Sequence, residues 1–223
     1  MRARWPAAMG VVLVTVLVAA AFVWAAALPA PSEEETYSFE QDMESWAAGG
    51  TDLYWGNCSA GASAIRPSVV AQGNCSVAWS VERTTELARE GAFSVRLSLE
   101  NLNDAGKIWI ERPFNVTPER TYRVHVSFAF ASADFGSVNH WRIIAGALSE
   151  RPTSADDLTS AYREDTGNGL DSPSGHVWLE KGYDSTVRSD SGGRLWVLVG
   201  VWGTWEGPRT YYVDVVRVSI TTA

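Results

Sequence analysis

Histidine, carboxylate and thiol side chains are where this sequence could carry chemistry, and their spacing withholds most of the reactions such groups perform. The three histidines, His125, His140 and His176, lie in or beside stretches of alternating apolar residues. None has a carboxylate or second imidazole at the spacing of a catalytic triad or a metal-ligand set. G-x-S-x-G is absent, so no serine sits on the sharp strand-to-helix turn of an acyl-transfer nucleophile. Hydrolysis of a glycosidic bond needs two carboxylates about 5 to 9.5 Å apart. Glu111, Glu180 and Asp184 are available, but no motif pairs them, and the E-x-D-x-x-E strand signature does not occur. The acidic, Gly-rich stretch YREDTGNGLDSPSG (162–175) lacks the D-x-D-x-D-G order of a calcium loop and reads as an exposed loop. These exclusions point to a chain without catalytic machinery.

Cys58 and Cys75 are the only two cysteines and lie 17 positions apart, each inside a Gly-Asn-Cys-Ser tetrapeptide. Zinc-type sites need four ligands at close spacing, whereas two cysteines in an oxidising compartment pair as a disulfide. A bridge closing a loop of this length contributes about 3 kcal/mol in the chain-entropy view. The N-terminus supplies the compartment. After Arg2 and Arg4 no charge occurs until Glu33, and GVVLVTVLVAAAFVWAAAL (10–28) is long enough to cross a bilayer. Residues 1–30 therefore read as a signal peptide or a signal anchor, with membrane contact through residues 7–28 if they are retained. Positive charge before the apolar run, and none just after it, places the rest of the chain outside the cytoplasm, secreted or anchored. Residues 31–36 form a linker, and 37–223 is one domain. In that setting Asn57, Asn74 and Asn115 match the N-x-[ST] acceptor pattern for glycosylation.

The domain carries a net-acidic chain, with a formal charge of -8 and scattered arginines, which excludes nucleic acid as a partner. Period-two alternation recurs in SVAWSVE (76–82), FSVRLSLE (93–100), KIWIERPFNV (107–116), TYRVHVSFAFA (121–131), HWRIIAGALS (140–149), HVWLEKGY (176–183), RLWVLVGVW (194–202) and TYYVDVVRVSI (210–220). Strands of this number, separated by Gly, Pro, Asn and Asp, specify an all-β antiparallel sandwich or jelly roll. SADDLTSAY (154–162) reads as a short helix with Ser154 as its N-cap.

Alternation also sorts the faces. If Ile108, Ile110 and Phe114 point inward, Lys107, Trp109 and Glu111 point outward. The same rule puts Arg96 outside on its strand, and Arg123 and His125 outside on theirs. An outer set of Arg96, Trp109, Glu111, Arg123 and His125 could bind sugar, because an indole stacks on a pyranose while charged and imidazole groups bond its hydroxyls. The alternative is the ordinary solvated side of an antiparallel sheet. A second aromatic group, Trp196, Trp202, Trp205, Tyr211 and Tyr212, reads as a plug at the end of the core, with a hairpin turn after Val201.

Four stretches, taken in order, resemble the jelly-roll carbohydrate-binding modules of the galactose-binding-like, CenC-type group. YSFEQDMESWAAGG (37–50) is similar to their first strand. VERTTELAREGAFSVRLSL (81–99) is similar to their Gly-containing turn and following strand, PFNVTPERTYRVHVSFAFAS (113–132) to their Thr-Pro hairpin, and RTYYVDVVRVSI (209–220) to their closing strand. The resemblance implies a non-catalytic module that binds a glycan or polysaccharide. It also implies a structural Ca2+ held by Glu40, by carbonyls around Glu90 and Gly91, and by Asp214, an oxygen set that calcium accepts. The alternatives are solvent-facing carboxylates at Glu40 and Asp214, and a surface domain that contacts proteins rather than sugar.

Overall fold

The computed structural model describes residues 34–51, 69–70, 77–101, 106–133, 141–166, 176–203 and 207–223. The strands are β1 Glu34–Tyr37, β2 Ala47–Thr51, β3 Val69–Val70, β4 Val77–Thr84, β5 Ser94–Asn101, β6 Gly106–Asn115, β7 Thr121–Ala133, β8 Trp141–Leu148, β9 Tyr162–Thr166, β10 His176–Arg188, β11 Arg194–Gly203 and β12 Gly207–Thr222. They form a seven-stranded sheet in the order β10-β7-β12-β5-β4-β3, with β1 also on β12, and a five-stranded sheet in the order β2-β6-β11-β8-β9. Every pairing is antiparallel. The all-β sandwich expected from the alternation is therefore present. The N-terminal apolar run, Cys58, Cys75, Asn57, Asn74 and Trp205 lie outside the described residues, and strand pairing begins at Glu34, inside the stretch expected to be linker.

The inward residues of both sheets meet in one core that includes Leu97, Ile108, Ile110, Val126, Phe128, Phe130, Val197, Val199 and Val213. Each large side chain fully withdrawn from water there contributes about 1.5–3 kcal/mol relative to an exposed one. Ile108 and Ile110 lie in this core while Trp109 does not, so the pleat follows the alternation in β6.

Two connections depart from the expected hairpins. The Thr-Pro turn joins β6 of one sheet to β7 of the other, and residues after Val201 lead from β11 of one sheet to β12 of the other. Alternation reports which side of a strand is apolar and says nothing of which sheet it joins. The crossover at Val116–Arg120 is held by the turn before β11. Val116 donates to the Gly193 carbonyl at 2.8 Å, and Ser189 Oγ donates to the Thr117 carbonyl at 2.8 Å. Gly193 has φ +72, and a Cβ there would run into the Val116 carbonyl, so that turn requires glycine.

The outer face of the five-stranded sheet carries a second apolar cluster of Trp109, Ile144, Leu148, Leu198, Leu158 and Ala161, flanked by Tyr162, Trp196 and Trp202. Leu158 and Ala161 come from a 3₁₀ helix, Asp156–Ala161, that packs on this face. Ser154 does not cap it. Ala155 stands at the N-cap without a side-chain bond, and the Asp157 carboxylate instead reaches back to the Thr153 and Ser154 amides at 2.8 and 2.9 Å. Trp202 and Tyr162 pack ring to ring at 5.2 Å, so Trp202 lies over a sheet face rather than at the end of the core.

Candidate functional site

The five outer-face residues do not share a face. Trp109 and Glu111 belong to β6 in the five-stranded sheet, whereas Arg96 on β5 and Arg123 and His125 on β7 belong to the seven-stranded sheet. Trp109 is also fully buried, because the cluster around the 3₁₀ helix covers it. Its ring lies where a side chain at Gly49 would stand, so the glycine of β2 makes room for it. Arg96 is engaged by Glu82 and by Glu86, the latter at 2.6 Å. Glu86 also accepts from Tyr212, and Arg96 and Tyr212 together hold its carboxyl below the usual range. Arg123 is exposed near the start of β7.

The other three converge by way of partners on a different place, a polar cleft of about 560 Å³ at the open edge of the sandwich. Its walls come from the end of β8 and the following turn (Ser149, Glu150, Arg151, Thr153), from the helix and β9 (Asp157, Ser160, Arg163), and from β10 (Asp184, Ser185, Thr186). The Glu111 carboxylate, wholly withdrawn from water, accepts from Trp109 Nε1 at 2.9 Å and pairs with Arg151 at 2.6 Å. Arg151 remains 41% exposed and carries that buried charge to the cleft wall. Its guanidinium also lies 5.2 Å from the Trp196 ring centre. On the other wall, His125 Nδ1 is 2.9 Å from Asp184 Oδ1. Trp109, Glu111 and His125 thus support cleft residues.

Arg163 sits between the two sheets. Its Nη2 donates to Ser185 Oγ at 3.0 Å, and a side chain at Gly146 would occupy the space of that contact. Gly146 has φ +138, so β8 is open at this point for a conformational and a steric reason together. Burial pushes the Arg163 guanidinium below its usual value.

Arg151, Arg163 and Ser185 were not singled out by the sequence. The available signal was the distribution of arginine and hydroxyl residues between Ser149 and Arg163, which reads as a loop until β8 and β10 are placed side by side.

Glu40 and Asp214 do come together, around the turn that carries Gly91. Asp214, at 0% exposure, accepts from the Arg89, Glu90 and Val215 amides at 2.8, 3.1 and 2.7 Å. Glu40 Oε1 accepts from the Ala92 and Phe93 amides, both at 3.0 Å. Gly91 has φ +62, and a side chain there would strike the Glu40 carboxylate. Burial raises the Asp214 carboxyl, the three amides oppose that, and the charge of Glu40 raises it further. Among the described residues no group of three or more His, Cys, Asp and Glu is placed to hold a metal ion.

The fold and cleft define a β-sandwich domain with a polar edge site. No family model matches the chain, and no curated protein matches it. Solved structures to which it is similar include carbohydrate-binding modules of β-sandwich fold. One is the CBM22-1 xylan-binding domain from Paenibacillus barcinonensis Xyn10C, with 14% identity over 86% of this chain and 97% of that one at a TM-score of 0.45. Another is TmCBM27, a carbohydrate-binding module studied for specific mannan recognition, with 11% identity, 87% and 100% coverage and a TM-score of 0.38. A cleaved adhesin domain of Lys-gingipain is similar at 12% identity, 85% and 98% coverage and a TM-score of 0.41.

Proposed function

We propose that the domain is a non-catalytic glycan-binding module, exported or held at the outer face of a membrane, and that it binds sugar in the edge cleft. The observation that carries this reading is the cleft lining. Hydroxyls of Ser149, Thr153, Ser160, Ser185 and Thr186 stand beside Arg151 and Arg163, with the partly exposed indole of Trp196 reached through Arg151. A sugar ring presents hydroxyls that both donate and accept, which this wall answers, together with an apolar face, for which Trp196 lies next to Arg151 just beyond the lining. Retention of the full chain on a panel of insoluble and gel-immobilised polysaccharides tests it. Binding to at least one of them, weakened about tenfold in Trp196→Ala, is the expected result. No retention on any polysaccharide overturns it.

The same reading includes a structural calcium ion at Glu40 and Asp214. The residues fit such an ion. Both carboxylates are fixed by main-chain amides, no donor among the described residues engages Glu40 Oε2, and the electrostatic conflict between the two acids is what a divalent cation relieves. When bound, the ion would neutralise these charges and tie the turn at Gly91 to β12. Carbonyls of that irregular turn would complete the oxygen set.

A further inference from the structure

Among the described side chains, which do not include those of residues 164–166, no carboxylate lies within ion-pairing distance of Arg163. Arg89 and Arg151 each have one, and Arg96 has two. Its protein contacts are Ser185 Oγ at 3.0 Å, the Ser160 carbonyl at 3.4 Å and the Tyr183 ring at 5.4 Å, and its Nε is buried without a partner. Two neutral acceptors, one of them long, do not balance a half-buried guanidinium. Of the acids that line the same cleft, only Asp184 acts on it, at a distance and without a bond. Asp157 is turned onto the Thr153 and Ser154 amides, Asp184 is 89% exposed and bonded to His125, and Glu150 is exposed. Arg151, the other cation of the cleft, is neutralised by Glu111.

We propose that this cleft takes an acidic sugar residue, a uronate whose carboxylate pairs with the Arg163 guanidinium while its ring hydroxyls bond the surrounding serine and threonine hydroxyls. The assignment rests on the glycan-binding reading and names the class of glycan. A planar guanidinium fork matches a carboxylate with two parallel bonds, which gives the ligand an orientation as well as a charge partner. The rim selects further. With Glu150, Asp157 and Asp184 around the opening and a chain charge of -8, a densely charged polyanion is repelled. A largely neutral glycan with isolated uronates is not.

Calorimetric titration of the full chain with three matched oligosaccharides tests the proposal: a neutral backbone bearing one glucuronate, its carboxyl-reduced counterpart, and the same backbone bearing one sulfate. The glucuronate form is expected to bind about 10 to 100 times more tightly than the reduced form, the range of a hydrogen-bonded charge. Arg163→Gln is expected to erase that preference while both forms still bind, and Arg163→Lys, which keeps the charge but not the fork, to retain only part of it. Raising the salt concentration is expected to narrow the wild-type difference. Equal binding of the glucuronate and reduced forms overturns the acidic-sugar assignment and leaves glycan binding standing. Preference for the sulfate also overturns it. If none of the three binds and the polysaccharide panel is blank too, both readings fail. The wild-type comparison needs no variant to fold.

Discussion

Two regions of the molecule hold charge in opposite ways. At the edge cleft a half-buried guanidinium, Arg163, bonds a hydroxyl and a carbonyl, and no carboxylate among the described side chains pairs with it. At the Gly91 turn two carboxylates, Glu40 and Asp214, are held by main-chain amides, and among the described residues no side-chain cation is bonded to them. Both arrangements leave charge that a partner could neutralise. Their settings differ. The cradle is closed by backbone and joins the 81–93 segment to β12, which suits an ion that stabilises. The cleft is open and lined by side chains, which suits a ligand that comes and goes. Charge left over inside a fold is informative only when its surroundings say whether the missing partner is permanent.

The largest effect that would break this contrast is expected at Gly91. Gly91→Ala forces a side chain onto the Glu40 carboxylate at a positive φ, and thermal denaturation is expected to show a loss of about 2 kcal/mol or more, with any calcium response abolished. Next is Arg151→Ala. It removes the ion-pair partner of the buried Glu111 carboxylate while the Trp109 bond stays, and is expected to cost about 1–3 kcal/mol in chemical denaturation. The double variant Arg151→Met with Glu111→Gln is expected to recover part of that loss.

Calcium addition, followed by chelation, is expected to raise and then lower the melting temperature of the wild-type chain but not of Asp214→Asn. Ligand at a hundred times its Kd corresponds to about 2.7 kcal/mol. An unchanged wild-type melt in both steps contradicts the ion. Arg163→Gln is expected to leave stability unchanged or slightly higher, because it removes a desolvated charge that no described carboxylate pairs with, in contrast to Arg151→Ala.

The smallest effect is with pH. Asp214 has a folded-state value above its ordinary 3.8, so without calcium its contribution grows as pH falls through the folded value toward 3.8, and is lost as pH rises again. Asp157, held low by the Thr153 and Ser154 bonds, acts in the other sense, and its contribution is lost below 3.8. Denaturation of wild type and Asp214→Asn across pH 7 to 4 is expected to show the first trend more steeply in the wild type, since Glu44, also raised by burial, contributes it to both.

The sandwich was legible because alternation is a local signal, and in β5, β6 and β7 it placed the core and outer sides correctly. The sheet to which each strand belongs was not legible, since that depends on loops such as Val116–Arg120 crossing between layers. For this reason Trp109 and His125, both outward by alternation, fall on opposite sides of the molecule. Trp109 also shows that outward does not mean exposed: the 3₁₀ helix buries it, and the acids of that helix gave no sign of a second apolar layer. The pairing of Glu40 with Asp214 came from the resemblance, and the turn at Gly91 explains physically why they meet. The edge cleft escaped because Arg163 and Ser185 are distant in sequence and belong to different sheets.

Glycan binding at the edge cleft is tested most directly by polysaccharide retention of the full chain in two variants with unchanged melting curves. Ser160→Trp fills the cleft from an exposed helix position, and Arg96→Ala alters the outer face of the seven-stranded sheet. Loss of retention in Ser160→Trp with full retention in Arg96→Ala is the result this account predicts. Full retention in Ser160→Trp with loss in Arg96→Ala would contradict it.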